Sequence, residues 1–308
     1  MKIAVIGAGA MGCLWGARLS PLAEVWLIDR WVEHVAAMQR EGLRLIELDG
    51  TEQVIPVRAT TGPAEVGDDV DLAIILVKSP GTPLAARLAA ALLKPEGLAL
   101  SLQNGLGNVE QLAAVLGAGR VMPGVTSHGA TRLGPGRVRH AGLGPTHLAT
   151  RPEIAARVQQ IGDLFNRAGF ETHLSADLEA LLWGKLIINA GINALTAVLR
   201  LPNRALAEVE PAAALMAAAV AEAVRVAQAK KITLPYADPQ AQAKQVALAT
   251  GRNHSSMLAD VLRARPTEIE AINGAIVREG RQLGLDAPVN QLLVWLVQAI
   301  EATYEQRI

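Results

Sequence analysis

A glycine-rich segment close to the N-terminus constrains the fold of this chain more than any other feature. The apolar run Ile3 to Ile6 leads directly into Gly7-Ala8-Gly9-Ala10-Met11-Gly12, and the helical stretch Met11 to Leu19 follows. A short apolar run that ends at glycines predicts a buried strand and a tight turn. The segment therefore predicts a strand, a turn and a helix that pack closely together, as in a parallel α/β sheet.

Further short apolar runs alternate with helical stretches over the first half of the chain. Strands are predicted at Glu24 to Ile28, Leu72 to Val77 and Leu98 to Leu102. The helices predicted between or after them are His34 to Arg40, Pro83 to Leu93 and Val109 to Leu116. This alternation favours a parallel sheet with crossover helices. A later group of runs, at Val121-Met122, Gly136 to His140 and Thr146 to Leu148, is expected to extend that sheet or to cap its edge.

The sequence changes character after about Ser175. From Leu178 to Tyr304 almost every segment has a helical period or a helix-forming composition. The chain has 308 residues, of which 51% are hydrophobic, enough for two cores. We therefore predict an α/β chain in which a Rossmann-type, doubly wound parallel sheet spans residues 1–175 and an all-α domain spans residues 176–308.

Composition excludes several classes of function. Lys and Arg together number 29, as do Asp and Glu, so no long-range field attracts nucleic acid or an anionic membrane. The single cysteine, Cys13, forms no internal disulfide, which favours a reducing, cytoplasmic setting. The N-terminus lacks the features of a signal peptide. The longest Ala-rich stretch, from Pro211, meets Glu222 well short of the ~20 apolar residues that cross a bilayer.

The glycines of this turn have the G-x-G-x-x-G spacing of a dinucleotide-binding site. In such a site the backbone of the turn and the N-terminus of the following helix bind the pyrophosphate. The alternative is a turn without a ligand. An acidic residue at the end of the second strand, here Asp29, binds the ribose of NAD, whereas an arginine there binds the 2′-phosphate of NADP. Because Arg30 follows Asp29, we favour NADP, and Asp29 leaves NAD open.

Polar residues follow two other predicted strands. Lys78 comes at the end of one, where it either reaches a cofactor phosphate or ribose or simply emerges at the surface. Asn104 follows the next strand, where its amide either orients nicotinamide or substrate or belongs to an ordinary Asn-Gly turn.

An apolar helix predicted over Leu182 to Thr196 carries three polar residues at helical spacing. Lys185, Asn189 and Asn193 stand at i, i+4 and i+8, so they share one face within an arc of roughly 80°. An ammonium on an apolar helix is costly unless it is paired or lines a wet cleft. The alternative is a solvated helix edge.

A second polar group lies nearer the C-terminus, at Ser255-Ser256 and at Thr267-Glu268-Ile269-Glu270. Thr267 and Glu270 predict a capping box, which would put Glu268 in the first turn of a helix running towards Leu283. Glu268 there either offsets the helix dipole or binds a ligand hydroxyl.

In order and spacing these segments resemble the ketopantoate reductase (2-dehydropantoate 2-reductase) family over most of the chain. The resemblance is carried by Gly7 to Gly12, Lys78, Asn104-Gly105, Thr126 to Ala130, Trp183-Gly184-Lys185, Asn189, Asn193, Pro202-Asn203, Ser255 to Asp260, Thr267 to Glu270 and Ile272-Asn273-Gly274. It implies NADPH-dependent reduction of 2-dehydropantoate to (R)-pantoate, a step towards pantothenate and coenzyme A, with a small anionic 2-oxo acid as substrate.

The resemblance also implies roles for individual residues. Lys185 would be the proton donor. The substrate would be held by Asn104, Asn189, Asn193, Asn203 and Ser256. The cofactor would contact Gly7, Ala8, Gly9, Ala10, Met11, Gly12, Arg30, Lys78, Asn104, Ala130 and Glu268.

The sequence is also compatible with two alternative functions. One is reduction of another branched or hydroxylated 2-oxo acid, and the other is that of a non-catalytic NADP-binding redox sensor. The histidines are scattered without metal-ligand spacing, so no metal is predicted. His34 is expected on a surface-like helix, and His128 is expected to make a structural hydrogen bond. The Ala-rich stretch Pro211 to Ala229 packs either within the chain or against a second subunit, which leaves a homodimer open.

Overall fold

The computed structural model describes residues 1–251 and 253–306 and divides into two compact units. Unit 1 contains Met1–Gln103 and Asn108–Leu178, and unit 2 contains Asn104–Gly107 and the chain from Glu179 onwards. The short segment Asn104–Gly107 thus groups with the helices of the second half of the chain, which the sequence did not predict.

Unit 1 alternates strands and helices, as the sequence predicts for its first half. In chain order its elements are β1 (Lys2–Ile6), α1 (Ala10–Leu19), β2 (Glu24–Ile28), α2 (Val32–Glu41), β3 (Leu43–Ile46), β4 (Glu52–Ile55), β5 (Arg58–Thr60), β6 (Val70–Ile75), α3 (Thr82–Leu92), β7 (Leu93–Ser101), α4 (Asn108–Leu116), β8 (Val121–Thr126), β9 (Gly129–Gly134), β10 (Arg137–Gly142), β11 (Thr146–Ala149), α5 (Ala155–Arg167) and β12 (Thr172–Ser175).

The main sheet has the strand order β12-β11-β8-β7-β6-β1-β2-β5. Its neighbouring strands are parallel except for β8 and β11. In β1, Ile3 and Val5 pack into one core and Ala4 and Ile6 into another. A central strand buried on both faces explains why its sequence is continuously apolar. The prediction of a doubly wound parallel sheet is confirmed, except that β8 and β11 run antiparallel.

A second, antiparallel-containing sheet has the order β4-β3-β10-β9. The predicted strand Gly136 to His140 falls mainly in β10 of this sheet, so it neither extends the main sheet nor caps its edge, and that prediction was wrong. The reason is local: Gly136, with φ +60°, turns the chain back so that β10 pairs with β9. By contrast, β8 and β11 extend the main sheet as predicted.

Unit 2 is built from helices, which confirms the prediction of an all-α second half. They are α6 (Glu179–Leu199), α7 (Ala205–Glu208), α8 (Glu210–Ala229), α9 (Pro239–Ala249), α10 (Ser256–Val261), α11 (Asn273–Gln282) and α12 (Pro288–Ala302). By length and composition alone, α6 and α8 would each be long and apolar enough to cross a membrane. Most of α6 is buried inside unit 2, and the core helix of a globular domain meets the same criteria.

A buried polar network ties α6 to three other helices of unit 2. Glu222 on α8 accepts hydrogen bonds from the backbone N–H groups of Val289 and Asn290, both at 2.9 Å, at the start of α12. Asn273 on α11 donates to the Asn290 side-chain oxygen and to the Ala190 carbonyl of α6, both at 3.0 Å. Because buried polar groups are costly without partners, this network restricts how α6 can rotate in the bundle.

Candidate active site

The glycine-rich turn between β1 and α1 is shaped by two close backbone approaches. Gly7 has φ +99°, and a Cβ there would lie 2.6 Å from the Val77 nitrogen. A Cβ on Gly12 would lie 2.1 Å from the Gly7 carbonyl oxygen. Neither position accepts a side chain without a backbone shift. At Gly9, by contrast, a Cβ would meet nothing within 4 Å, so the outer side of the turn is open.

Helix α1 starts at this turn with Gly9 as its N-cap. No side chain caps the helix, and its first turn contains no acidic residue. The positive end of the helix dipole is therefore not offset by the helix's own side chains. An open backbone turn at such an N-terminus has the chemistry of a phosphate site, so the turn fits the pyrophosphate of a dinucleotide.

The residues after β2 carry the two predicted determinants of cofactor choice. The Asp29 carboxylate accepts a hydrogen bond from the Trp31 backbone N–H at 3.0 Å. Arg30 is exposed, and its side chain makes no hydrogen bond or ion pair with the described residues. Arg132 on β9 places its guanidinium 4.7 Å from the centre of the Trp31 ring, a contact that the sequence analysis missed.

Lys78 lies farther from its strand than predicted. Strand β6 ends at Ile75, not at Val77, and the exposed Lys78 immediately precedes a single 3₁₀ turn over Ser79–Gly81. Since β2, β1 and β6 are parallel neighbours, the glycine turn, Arg30 and Lys78 still follow strand ends at one edge of the sheet.

Two buried amides bond to the residues on either side of Lys78, one to a backbone carbonyl and one to a side-chain hydroxyl. Gln103 donates from Nε2 to the Val77 carbonyl at 3.0 Å, and Asn108 donates from Nδ2 to Ser79 Oγ at 3.2 Å. No role for Gln103 was predicted from the sequence. These bonds limit the movement of the segment that carries Lys78.

Ala130, the remaining predicted cofactor residue of unit 1, is partly buried on β9 and pairs with His140 on β10. His128, just before β9, has its Nδ1 3.2 Å from His140 Nε2. Burial, together with the neighbouring His140, lowers the pKa of His128 to about 4, so its ring stays neutral. Within residues 1–251 and 253–306, no group of three or more His, Cys, Asp or Glu side chains is arranged to hold a metal ion.

The polar face of α6 is the centre of the candidate site in unit 2. Lys185 and Asn189 are partly exposed, and Asn193 is buried. Among the described residues, neither asparagine side chain has a hydrogen-bond partner. Two amides that have no hydrogen-bond partner in the described part of the chain, together with an ammonium on the same helix, form a surface suited to a small polar anion.

Lys185 has an unusual charge environment. Burial lowers the pKa of Lys185 from its usual 10.5 to about 8, and the negative charge of Glu268 acts in the opposite direction. Glu268 is itself buried and accepts a hydrogen bond from Asn104 Nδ2 at 3.2 Å. The structure therefore brings together Lys185, Glu268 and Asn104 from three separate parts of the sequence.

Glu268 does not lie in a helix, so the predicted capping box was wrong. Helix α11 begins only at Asn273, and Thr267 Oγ1 accepts from the Ile269 backbone N–H at 3.2 Å instead of closing a box with Glu270. Glu270 bonds to Gln298 at 2.5 Å on the surface. Glu268 is held by an irregular turn, in which its carbonyl accepts the backbone N–H of Ile272 at 3.0 Å.

Comparison with known proteins identifies the family. The model of the ketopantoate reductase PanE/ApbA family matches residues 3–153, and the model of its C-terminal domain matches residues 177–301. The 2-dehydropantoate 2-reductase of Halobacterium salinarum is 38% identical over 97% of this chain and 98% of the relative. The chain belongs to the ketopantoate reductase family.

Solved structures of this family and its neighbours have the same fold. A PanE/ApbA family ketopantoate reductase from Ralstonia eutropha is 35% identical, with a TM-score of 0.91 over 99% of this chain and 100% of that one. D-mandelate dehydrogenase, solved with NADH and anilino(oxo)acetate, is 29% identical, with a TM-score of 0.90 and the same coverage. The ketopantoate reductase fold is thus shared with an enzyme that binds NADH and a different acid.

The other residues that the family resemblance assigns to substrate lie near the second half of α6. Asn203 is buried; its Nδ2 donates to Thr250 Oγ1 at 2.8 Å, and its Oδ1 has no partner among the described residues. Ser256 is exposed at the start of α10. Its neighbour Ser255 is buried and accepts from Thr196 Oγ1 of α6 at 2.7 Å. Ser255 therefore has a structural role, and Ser256 is the exposed serine of the pair.

Proposed function

We propose that this chain is an NADPH-dependent 2-dehydropantoate 2-reductase, which converts 2-dehydropantoate to (R)-pantoate. The observation that carries the proposal is the grouping of Lys185, Glu268 and Asn104 in unit 2. Asn189 and Asn193 lie on the same helix as Lys185, and their amides have no hydrogen-bond partner among the described residues. Membership of the family supports the reaction, and the name of the Halobacterium relative supports the substrate. The product would feed pantothenate and coenzyme A synthesis, and we assign the enzyme to the cytoplasm.

The residues present fit a nicotinamide dinucleotide. The backbone of Gly7 to Gly12 would hold its pyrophosphate, Arg30 its 2′-phosphate, and Lys78 a phosphate or ribose. The family resemblance also assigns cofactor contacts to Ala130, Asn104 and Glu268. When bound, the reduced nicotinamide supplies the hydride.

Lys185 would act on the oxygen of the 2-oxo group. As an ammonium it donates a hydrogen bond to that oxygen, stabilises the negative charge that develops there, and delivers its proton. The carbonyl carbon gains a hydride and the oxygen gains a proton, so the 2-oxo acid becomes a 2-hydroxy acid. Partial burial strengthens each of these interactions, because fewer water molecules screen the charge.

The amide side chains would hold the rest of the substrate. Asn189 and Asn193 stand one and two helical turns beyond Lys185, within reach of a carboxylate and a hydroxyl on one small molecule. The family resemblance also assigns Asn203 to the substrate. Ser256 would donate to the carboxylate.

A second candidate keeps the chemistry but changes the substrate. The similarity to D-mandelate dehydrogenase favours a bulkier 2-oxo acid with NADH as reductant. We expect NADPH oxidation to be fastest with 2-dehydropantoate in a panel that includes 2-oxoisovalerate and the aryl 2-oxo acid corresponding to mandelate. Faster turnover of the aryl acid with NADH would replace the proposed function by the second candidate. Tight NADPH binding without turnover of any acid would favour a redox sensor.

The pKa of Lys185 predicts how the rate depends on pH. The ammonium is populated below about pH 8, and the proposed chemistry requires it. With saturating NADPH, kcat/KM for the oxo acid should therefore be level below pH 8 and fall about tenfold per pH unit above it. Because the Glu268 charge raises the pKa of Lys185, Glu268→Gln should shift this fall to lower pH. A profile that the substitution does not shift would contradict the assignment.

A further inference from the structure

His34 is buried, contrary to the prediction of a surface-like helix, and both of its ring nitrogens have partners. Nδ1 accepts the Gly136 backbone N–H at 2.9 Å, so Nδ1 carries no proton. The proton of the neutral ring is therefore on Nε2, which donates to the Ala8 carbonyl oxygen at 2.8 Å. Cys13 lies beside it and donates to the same oxygen at 3.1 Å. Burial raises the pKa of the Cys13 thiol, which keeps it a donor.

These two side chains are the partners of the Ala8 carbonyl. Ala8 stands one residue before the N-cap of α1, and within the described residues no backbone N–H bonds to its oxygen. The direction of this carbonyl is thus set by His34 and Cys13, both of which are fully buried. Without them, the peptide between Ala8 and Gly9 would lack an anchor on the protein side.

Because the peptide between Ala8 and Gly9 is planar and trans, fixing the Ala8 carbonyl also fixes the direction of the Gly9 N–H. The C=O and N–H of one trans peptide point in opposite directions, and no cis peptide occurs among the described residues. Because the Ala8 carbonyl points inward to His34, the Gly9 N–H points outward. That N–H has no partner in the described part of the chain, and the Cα of Gly9 faces open space.

His34 also supports the adjacent part of the candidate cofactor site. Its ring stacks on Trp31 with the centroids 5.2 Å apart and the planes 13° apart. Trp31 directly follows Arg30, which we propose binds the 2′-phosphate. One imidazole therefore contacts both the glycine turn and the segment that carries Arg30.

We propose that His34 is a positioning residue for the dinucleotide: through the Ala8 carbonyl it aims the Gly9 N–H at the cofactor's pyrophosphate. This inference rests on the proposed function only in that the chain must bind a nicotinamide dinucleotide. A backbone donor held in place before binding saves the cost of ordering it on binding. His34 therefore affects how tightly the cofactor binds, and the proton transfer from Lys185 does not depend on His34.

A pair of substitutions separates this role from simple packing. In His34→Gln the amide nitrogen reaches the position of Nε2 and can still donate to Ala8, whereas in His34→Asn the shorter side chain reaches only the position of Nδ1, beside Gly136. Both variants lose the Trp31 stack and should lower the melting temperature similarly. We expect His34→Asn to raise the NADPH dissociation constant about fivefold. His34→Gln should stay close to the wild type, and so should the surface control His173→Asn.

The measurement is a fluorescence titration with NADPH, together with kcat at saturating NADPH, which should be unchanged in both variants. Unchanged NADPH affinity in His34→Asn, or equal losses in His34→Gln and His34→Asn, would overturn the positioning role. A wild-type chain that binds NADPH but reduces no 2-oxo acid would overturn the proposed reaction, and the titrations would still decide the role of His34. A chain that binds neither NADPH nor NADH would overturn both.

Discussion

Lys185→Met should lower kcat for 2-dehydropantoate reduction by about 10²-fold or more, while the dissociation constant for NADPH changes little. Methionine keeps the length and much of the packing of the lysine side chain but has no proton to donate. The loss should fall on kcat because the proton is needed as negative charge develops on the substrate oxygen. Steady-state kinetics at saturating NADPH measure this effect, and thermal melting checks the fold.

Lys230→Met is the matched control. Lys230 is also in unit 2, where it bonds to Glu279 at 2.5 Å and lies 5.9 Å from the centre of the Trp183 ring. The control removes an ammonium from the same unit, so it corrects for general effects of charge, and its kcat should stay near the wild-type value. The small residual rate of Lys185→Met should also lose the fall above pH 8. A near-normal rate in Lys185→Met would show that Lys185 is an ordinary residue of the helix surface.

Arg30→Ala should raise the dissociation constant for NADPH about tenfold or more and leave that for NADH nearly unchanged. A hydrogen bond between charged groups contributes about 1.5–3 kcal/mol, and about 1.4 kcal/mol corresponds to a factor of ten. Arg30 is exposed in the free chain, so we expect the lower end of this range. Because NADH lacks the 2′-phosphate, the ratio of the two constants isolates the contribution of the guanidinium.

Arg40→Ala is a suitable control, since Arg40 is exposed in the last turn of α2 and pairs with Glu41. It changes the net charge by the same amount and should move neither constant. Equal weakening of NADPH and NADH by Arg30→Ala would instead assign cofactor choice to Asp29. In that case Asp29→Ala should weaken NADH more than NADPH.

Local patterns predicted the parts of the fold that depend on neighbouring residues. The apolar run before Gly7 and the period of the following helix specify β1, α1 and the turn between them. The spacing of Lys185, Asn189 and Asn193 likewise placed them on one face of a helix, which is α6. In each case the information lies within one continuous segment of the sequence.

Contacts between distant segments were not predictable in this way. Asn104 and Glu268 are separated by 164 residues, and no local pattern pairs them. The N–H group that bonds to His34 Nδ1 belongs to Gly136, which is 102 residues away. Even so, α2 carries a signal that was missed, because His34 shares its buried side with Val35 and Met38. A histidine among the apolar positions of an amphipathic helix points to a buried partner.

The assignment of Asn104–Gly107 to unit 2 means that the two units are interleaved in the gene. A fragment that begins at Glu179 would contain Lys185 and Glu268 but not the asparagine that donates to Glu268. It would also lack the Leu106 N–H that bonds to the Ala271 carbonyl at 2.9 Å. A Cβ on Gly105 would lie 2.3 Å from that same carbonyl oxygen, so the segment cannot be replaced freely. A chimaera that takes its C-terminal half from a relative must therefore also take residues Asn104–Gly107 from that relative to keep the site intact.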